Sequence, residues 1–167
     1  MTSDVLIREA ATADVAGIQA VAEETWHETY DDILGADVVE TVIDEWYVDE
    51  AIEDGIGHEA QDFVVAVRDE EVVGYAHVGP HPPRRVYQLY RIYVRPDAQG
   101  EGVGKALLAE VEQALYDRDA GGYEVEVFEE NEAAIDFYEA TGFERVEAEE
   151  TEFRGVTVTE CIYRKKL

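Results

Sequence analysis

At 167 residues the chain has the length of one domain, expected to cover residues 1–167, and enough residues to bury a sizeable core. Forty Asp and Glu against 13 Lys and Arg give a formal net charge of −27 at pH 7, which leaves no basic patch to displace counterions from a nucleic acid. Cys161 is the only cysteine, excluding an intrachain disulfide or a cysteine-cluster metal site, and no run approaches the length of a membrane span. The start, Met1-Thr2-Ser3-Asp4, lacks a basic, apolar leader, so a cytoplasmic protein is expected. The acidic residues are spread along the whole chain, and a compact fold carrying them repels itself at low ionic strength. At roughly 1 M salt the Debye length falls to about 3 Å and that repulsion is screened, so the composition points to a halophilic, salt-accumulating source.

In chain order, residues 5–8 read as a short strand, and Thr12 with Asp14 as caps for a helix in which Val15, Ile18, Val21, Ala22 and Trp26 share one face. Residues 30–35 read as a loop or helix break, and residues 38–51 as a second helical region built on Val39, Val42, Ile43 and Trp46. Residues 63–67 and 72–78 are predicted strands joined by the turn Arg68-Asp69-Glu70-Glu71. The prolines of Gly79-Pro80-His81-Pro82-Pro83 are expected to end pairing before the apolar, β-rich run 86–94. A glycine-rich turn then opens a helix with the stripe Val103, Ala106, Leu107, Val111, Ala114 and Leu115. Residues 123–128 alternate as a strand, Asn131 begins a short helix that Gly142 stops, and strands near 144–149 and 152–164 close the chain. The expected class is α/β (α+β): a mixed, largely antiparallel central sheet flanked by helices.

The turn after residue 94 carries the most information. Gly100, Gly102 and Gly104 weaken a helix start but let successive N–H groups face one concave site, which suits a phosphate or pyrophosphate. A Walker A loop needs glycine where Gln99 stands and a hydroxyl where Ala106 stands. A dinucleotide fingerprint needs a third glycine where Lys105 or Leu107 stands. What remains, Gln99-x-x-Gly102-x-Gly104 between strand and helix, resembles the acetyl-CoA loop of the GCN5-related N-acetyltransferases (GNAT family). A second block, Asn131-x-x-Ala134-x-x-Phe137-Tyr138-x-x-x-Gly142-Phe143, is similar to that family's other hallmark, and the likeness covers roughly residues 60–165.

The resemblance implies a GNAT-like sheet and transfer of an acetyl group from acetyl-CoA to a primary amine by direct attack in a ternary complex. It places the pantetheine arm along Ile92, Tyr93 and Val94, and the pyrophosphate on the N–H groups of Gln99, Gly100, Glu101, Gly102, Val103, Gly104 and Lys105. Arg95 and Lys105 would add local positive charge, and Asn131 would touch the cofactor arm or cap its helix. Tyr138 matches the tyrosine that protonates the leaving thiolate, a role a phenol with an ordinary pKa near 10 can fill. An alkylamine with a pKa near 10.4 must lose a proton before attack, yet Gln88 stands where many relatives carry a glutamate base. Glu124, Glu126, or water relayed through Tyr90 or backbone carbonyls are the candidates left, with none preferred. His27 and Tyr30 are expected to line the acceptor cleft, with Trp26 in the core. His27, His58, His77 and His81 lack ligand spacing, so no metal is expected. The acceptor could be a small amine or polyamine, or a protein N-terminus or lysine. The competing class is a non-catalytic acyl-CoA sensor, favoured by Gln88. The closing strands offer an edge for a homodimer.

Overall fold

The computed structural model describes residues 4–167, so Met1, Thr2 and Ser3 of the leader argument lie outside the described residues. Seven strands form one sheet in the order β1-β2-β3-β4-β5-β7-β6. These are β1 (Leu6–Glu9), β2 (Asp62–Arg68), β3 (Glu71–His81), β4 (Val86–Val94), β5 (Gly122–Phe128), β6 (Glu144–Phe153) and β7 (Val156–Lys166). Every neighbouring pair is antiparallel except β4 and β5. That parallel step needs a crossover, supplied by α4 (Val103–Asp117).

Alternation along the strands divides the core in two. Val64, Ala66, Ala76 and Val125 pack with Leu107, Leu108 and Val111 of α4 and Tyr138 of α5 (Glu132–Ala140). Phe63, Val65 and Tyr75 face the other way, against α1 (Val15–Leu34), α2 (Ala36–Trp46) and α3 (Asp49–Ile56). The α1 stripe expected from helical spacing is buried as a unit, Ile18, Val21 and Ala22 completely.

Several boundaries differ from expectation. Helix α1 continues through residues 30–34, because Tyr30 and Leu34 extend its buried stripe while Asp32 stays exposed; the break falls at Gly35, with φ of 92°. The region 38–51 is two helices, separated at Tyr47 and Val48. The Asp14 carboxylate does not cap α1; it accepts from the Ala11 N–H at 2.8 Å and from Arg8 at 2.7 and 2.9 Å. Pairing does not stop at Gly79: β3 continues to His81, with Pro80 opposite Tyr87. Beyond Val78 no β2 residue remains alongside, so β3 is an edge there and Pro80 withholds no ladder bond. Strand β6 runs on to Phe153, since Arg154 and Gly155, at φ of 50° and 86°, make the tight turn.

Two irregularities create the site. Strands β4 and β5 pair only from Tyr87 to Leu89, and then separate. At the same point a bulge leaves Tyr90 without a partner, between Leu89 opposite Val78 and Arg91 opposite His77. The bulge reverses the alternation of β4. Leu89 packs on the α4 side, but beyond Tyr90 it is Ile92 and Val94 that do so, leaving Tyr93 to face α1.

Candidate active site

The glycine loop leaves β4 through a short 3-10 turn at Pro96–Ala98 and enters α4 at Gly102. Gln99 ties it down, its Nε2 donating to the Val94 carbonyl at 3.0 Å. Gly100 and Gly102 have φ of 80° and 81°, left-handed values that a side chain would strain. Among the described residues the N–H groups of Gly100 through Lys105 find no main-chain acceptor, whereas that of Gln99, expected to join them, already donates to the Pro96 carbonyl at 3.4 Å; the first turn of α4 closes only with Ala106 donating to Gly102. Six donors at a helix N-terminus form a cradle for an anion. A Cβ on Gly104 would stand 3.1 Å from the Phe137 ring, so glycine there also lets α4 and α5 approach.

A cleft of about 490 Å³ runs from this cradle into the gap between β4 and β5. Of the residues expected to hold the donor, supply the acid or wall the acceptor, all but Glu101 and His27 line it. The Glu101 carboxylate turns away to pair with Arg68 at 2.8 Å, so only its main chain is available to the loop. His27 lies on the outer face of α1, where Asp31 holds Nδ1 at 2.8 Å and Glu40 holds Nε2 at 2.7 Å. The hydrogen bond to Asp31 does most to raise its pKa; burial works against it, and the hydrogen bond to Glu40 adds to the rise. Arg95, expected to add positive charge, is occupied by Asp97 at 2.8 Å and Glu71 at 3.4 Å. Lys105 is exposed at the cleft with no carboxylate paired to it among the described residues. Asn131 caps α5, its Oδ1 accepting from the Ala134 N–H at 3.2 Å, while also lining the cleft.

Tyr138 sits at the inner end, its ring against Phe143 and Phe137. Its hydroxyl has no hydrogen-bond partner among the described residues, and burial, with Tyr30 nearby, pushes its pKa above the ordinary value. Tyr30 bonds Tyr93 hydroxyl to hydroxyl at 3.0 Å. Beyond them a second cavity of about 240 Å³ opens on the α1–α2 side. Tyr30, Tyr90, Arg91, Tyr93, Glu126 and Val127 line both spaces, so the two adjoin.

The second cavity has aromatic walls, among them Trp26, Trp46 and Phe153, and two carboxylates, Glu126 and Glu160. Sequence reasoning named Glu126 only as a candidate base and passed over Trp46, Arg91, Phe153 and Glu160, which are brought in by α2, β4, β6 and β7. Burial, with Glu126 and Glu149 close by, holds the Glu160 carboxyl above its ordinary pKa. Glu124 is different. Burial works to raise its pKa, but Arg84 at 2.7 Å and Arg164 at 2.5 Å outweigh it and keep the carboxyl below its usual range. It is a structural anion, tied into the sheet and outside both cavities. Among the described residues no cluster of three or more His, Cys, Asp or Glu side chains is placed to hold a metal ion, and no helix is long and apolar enough to cross a membrane.

Comparison with known proteins agrees with this geometry. The acetyltransferase (GNAT) family model matches residues 18–143. YuaI of Bacillus subtilis, described as an uncharacterized N-acetyltransferase, is 31% identical over 161 residues, 93% of this chain and 90% of its own. Spermidine N(1)-acetyltransferase of Thermoplasma acidophilum is 24% identical over 151 residues, 88% of this chain and 92% of its own. Among solved structures, the PaiA N-acetyltransferase of Thermoplasma acidophilum, in complex with coenzyme A, aligns with a TM-score of 0.84 at 25% identity, over 98% of this chain and 99% of that one.

Proposed function

Because the chain belongs to the acetyltransferase (GNAT) family and is an N-acetyltransferase, we propose that it moves an acetyl group from acetyl-CoA to a small primary amine held in the second cavity. The observation that carries this reading is that the two spaces share walls at the gap where β4 and β5 part. The donor's pyrophosphate fits the six free N–H groups from Gly100 to Lys105, and its pantetheine arm fits the strand edge from Ile92 to Val94 that β5 leaves unpaired. That arrangement brings the thioester to the junction, with Tyr138 on the donor side.

Glu126 is the base this geometry favours. It is exposed, lines both cavities, and has no Arg or Lys paired to it among the described residues, whereas Glu124 is committed to two arginines. Glu126 removes a proton from the ammonium, directly or through one water, and the freed nitrogen attacks the thioester carbonyl. The C–N bond forms, the C–S bond breaks, the departing sulfur takes the Tyr138 hydroxyl proton, and the surplus proton on the acylated nitrogen passes to solvent, which in turn reprotonates the phenol. Direct attack in a ternary complex is the route this arrangement supports: among the described residues, the six that line both cavities include no cysteine, serine or lysine to carry an acyl group.

A second reading, a polyamine acceptor, is favoured by the two carboxylates and aromatic walls of the acceptor cavity, which suit an extended cation. The even spread of acidic residues supports a protein working in a salt-rich cytoplasm. The test is CoA release from acetyl-CoA in molar KCl across polyamines, amino acids, aminoglycosides and N-terminal peptides. Acceptor-dependent release is expected with at least one small amine. Release only with peptides would move the acceptor from a small molecule to a protein.

A further inference from the structure

Accepting the second cavity as the acceptor site, we propose that the acceptor carries a carboxylate beside its amine and that Arg91 is the residue that selects it. Arg91 stands on β4 just beyond the bulge and lines both cavities. Its guanidinium lies 4.7 Å above the Tyr47 ring centroid. That ring is fixed in turn, the Tyr75 hydroxyl donating to its oxygen at 2.8 Å and the Trp26 Nε1 at 3.1 Å. The guanidinium is therefore held in one place before any ligand arrives.

It is also unsatisfied. The Nη1 of Arg91 is buried without a hydrogen-bond partner, and no carboxylate pairs with the side chain. In a chain with 40 acidic residues and 13 basic ones this is unusual. Among the described residues, only Arg85, Lys105 and Lys166 share that lack of an ion pair, and all three are exposed to water. A guanidinium half-buried at the wall of a cavity has lost solvation that an acceptor group on a ligand there can return. The neighbouring His77 offers no negative charge: burial, then Arg91 and His58, lower its pKa to about 3, leaving the imidazole neutral.

The cavity is thus bipolar. Glu126 and Glu160 line it without pairing with Arg91, so a cation and two carboxylates border one space. A zwitterion matches both: its ammonium toward Glu126 at the thioester junction, its carboxylate on the planar fork of Arg91. A polyamine satisfies the carboxylates but sets positive charge against Arg91 with nothing to neutralise it. The shared class is a free amino acid or a short amino-carboxylate, with the aromatic walls left to the side chain.

The experiment compares acceptors that differ only by the carboxylate: lysine with cadaverine, ornithine with putrescine, phenylalanine with phenethylamine, and tryptophan with tryptamine. A charge-assisted contact of this kind predicts that kcat/KM favours the carboxylated member of the best pair by roughly 10- to 150-fold, chiefly through KM. Arg91→Gln should collapse that ratio, and Arg91→Lys, which keeps charge but loses the fork, should restore it in part. Equal or better use of the decarboxylated partners by the unaltered protein would overturn the inference without any variant. So would an Arg91→Gln protein, folded by circular dichroism, whose ratio is unchanged or whose main defect is in KM for acetyl-CoA. Acetylation of amines without carboxylate preference would leave the acceptor cavity standing and remove only Arg91's role. No acetylation of any amine would overturn both.

Discussion

Replacing Tyr138 with phenylalanine removes one oxygen and nothing else that the fold uses. The ring keeps its packing on Phe143 and Phe137, at centroid distances of 5.4 and 5.7 Å. Because the hydroxyl has no partner among the described residues, its loss should change stability by no more than about 0.5 kcal/mol. Its chemical cost is larger. General acids contribute roughly 10²- to 10⁴-fold, and efficiency rises as the acid's pKa nears the working pH. Burial pushes this phenol above its ordinary value, while a thiol of the cysteine type titrates near 8.5. Proton transfer from the phenol is then uphill even to the fully released thiolate, which puts Tyr138 at the low end, about 10²-fold in kcat or ~2.7 kcal/mol. CoA release measured in molar KCl from pH 6 to 10 should show that loss, with an unchanged melting temperature. An acetyl thioester of a more acidic thiol needs less help from an acid, so the deficit should shrink with it. Full activity of Tyr138→Phe at every pH, or a deficit indifferent to the leaving group, would refute the assignment.

Glu126→Gln should lower kcat/KM by roughly 10²-fold at neutral pH and recover as pH approaches the acceptor's own pKa, where free amine no longer needs a base; a profile parallel to the unaltered protein's would exclude Glu126. Glu124→Gln should destabilise the fold by about 1–3 kcal/mol at pH 7 in denaturant melts, below the usual cost of breaking a buried pair because Arg84 and Arg164 are partly exposed and can rehydrate. The folded-state pKa of Glu124 is lowered, so its contribution is present above the unfolded value near 4.3 and lost as pH falls through the folded one; the gap between the two proteins should close in acid, and a constant gap would contradict the pairing. Raising KCl from about 0.1 M to 1 M shortens the Debye length from about 10 Å to about 3 Å, so KM for acetyl-CoA should fall rather than rise, and a steep rise would show that Lys105, not the main chain, dominates donor binding.

The sheet and the backbone geometry of the glycine loop could be read from sequence because local rules decide them. Left-handed values at Gly100 and Gly102, the Asn131 cap and the stripe of α4 each depend on residues a few positions apart. The acceptor cavity depends on tertiary geometry. Glu126 and Glu160 meet because β5 and β7 pair, and Trp46 joins them only because α1 continues straight to Gly35. Arg91 shows the limit most sharply. Simple alternation places it on the buried side with Leu89, and it is the unpaired Tyr90 that turns it toward the acceptor. His27 shows the reverse, where proximity in sequence to Trp26 and Tyr30 suggested a cleft residue but helical rotation carries it to the surface.

If the glycine loop holds the donor as proposed, the charge balance explains why that site is made mostly of backbone. On the proposed reading a protein with a net charge of −27 binds a polyanion, yet the arginine next to the loop is spent on carboxylates, and the loop's own cation without an ion pair among the described residues is Lys105. Side-chain charges set at a distance would be screened in strong salt, and in weak salt would compete with surrounding carboxylates. Six N–H dipoles in direct contact act at hydrogen-bond range, where ions do not intervene, and they need no counter-charge of their own. The same reasoning gives weight to Arg91. Where almost every buried or half-buried cation has been matched with a carboxylate, the one left unmatched inside a cavity is the one whose partner arrives with the substrate.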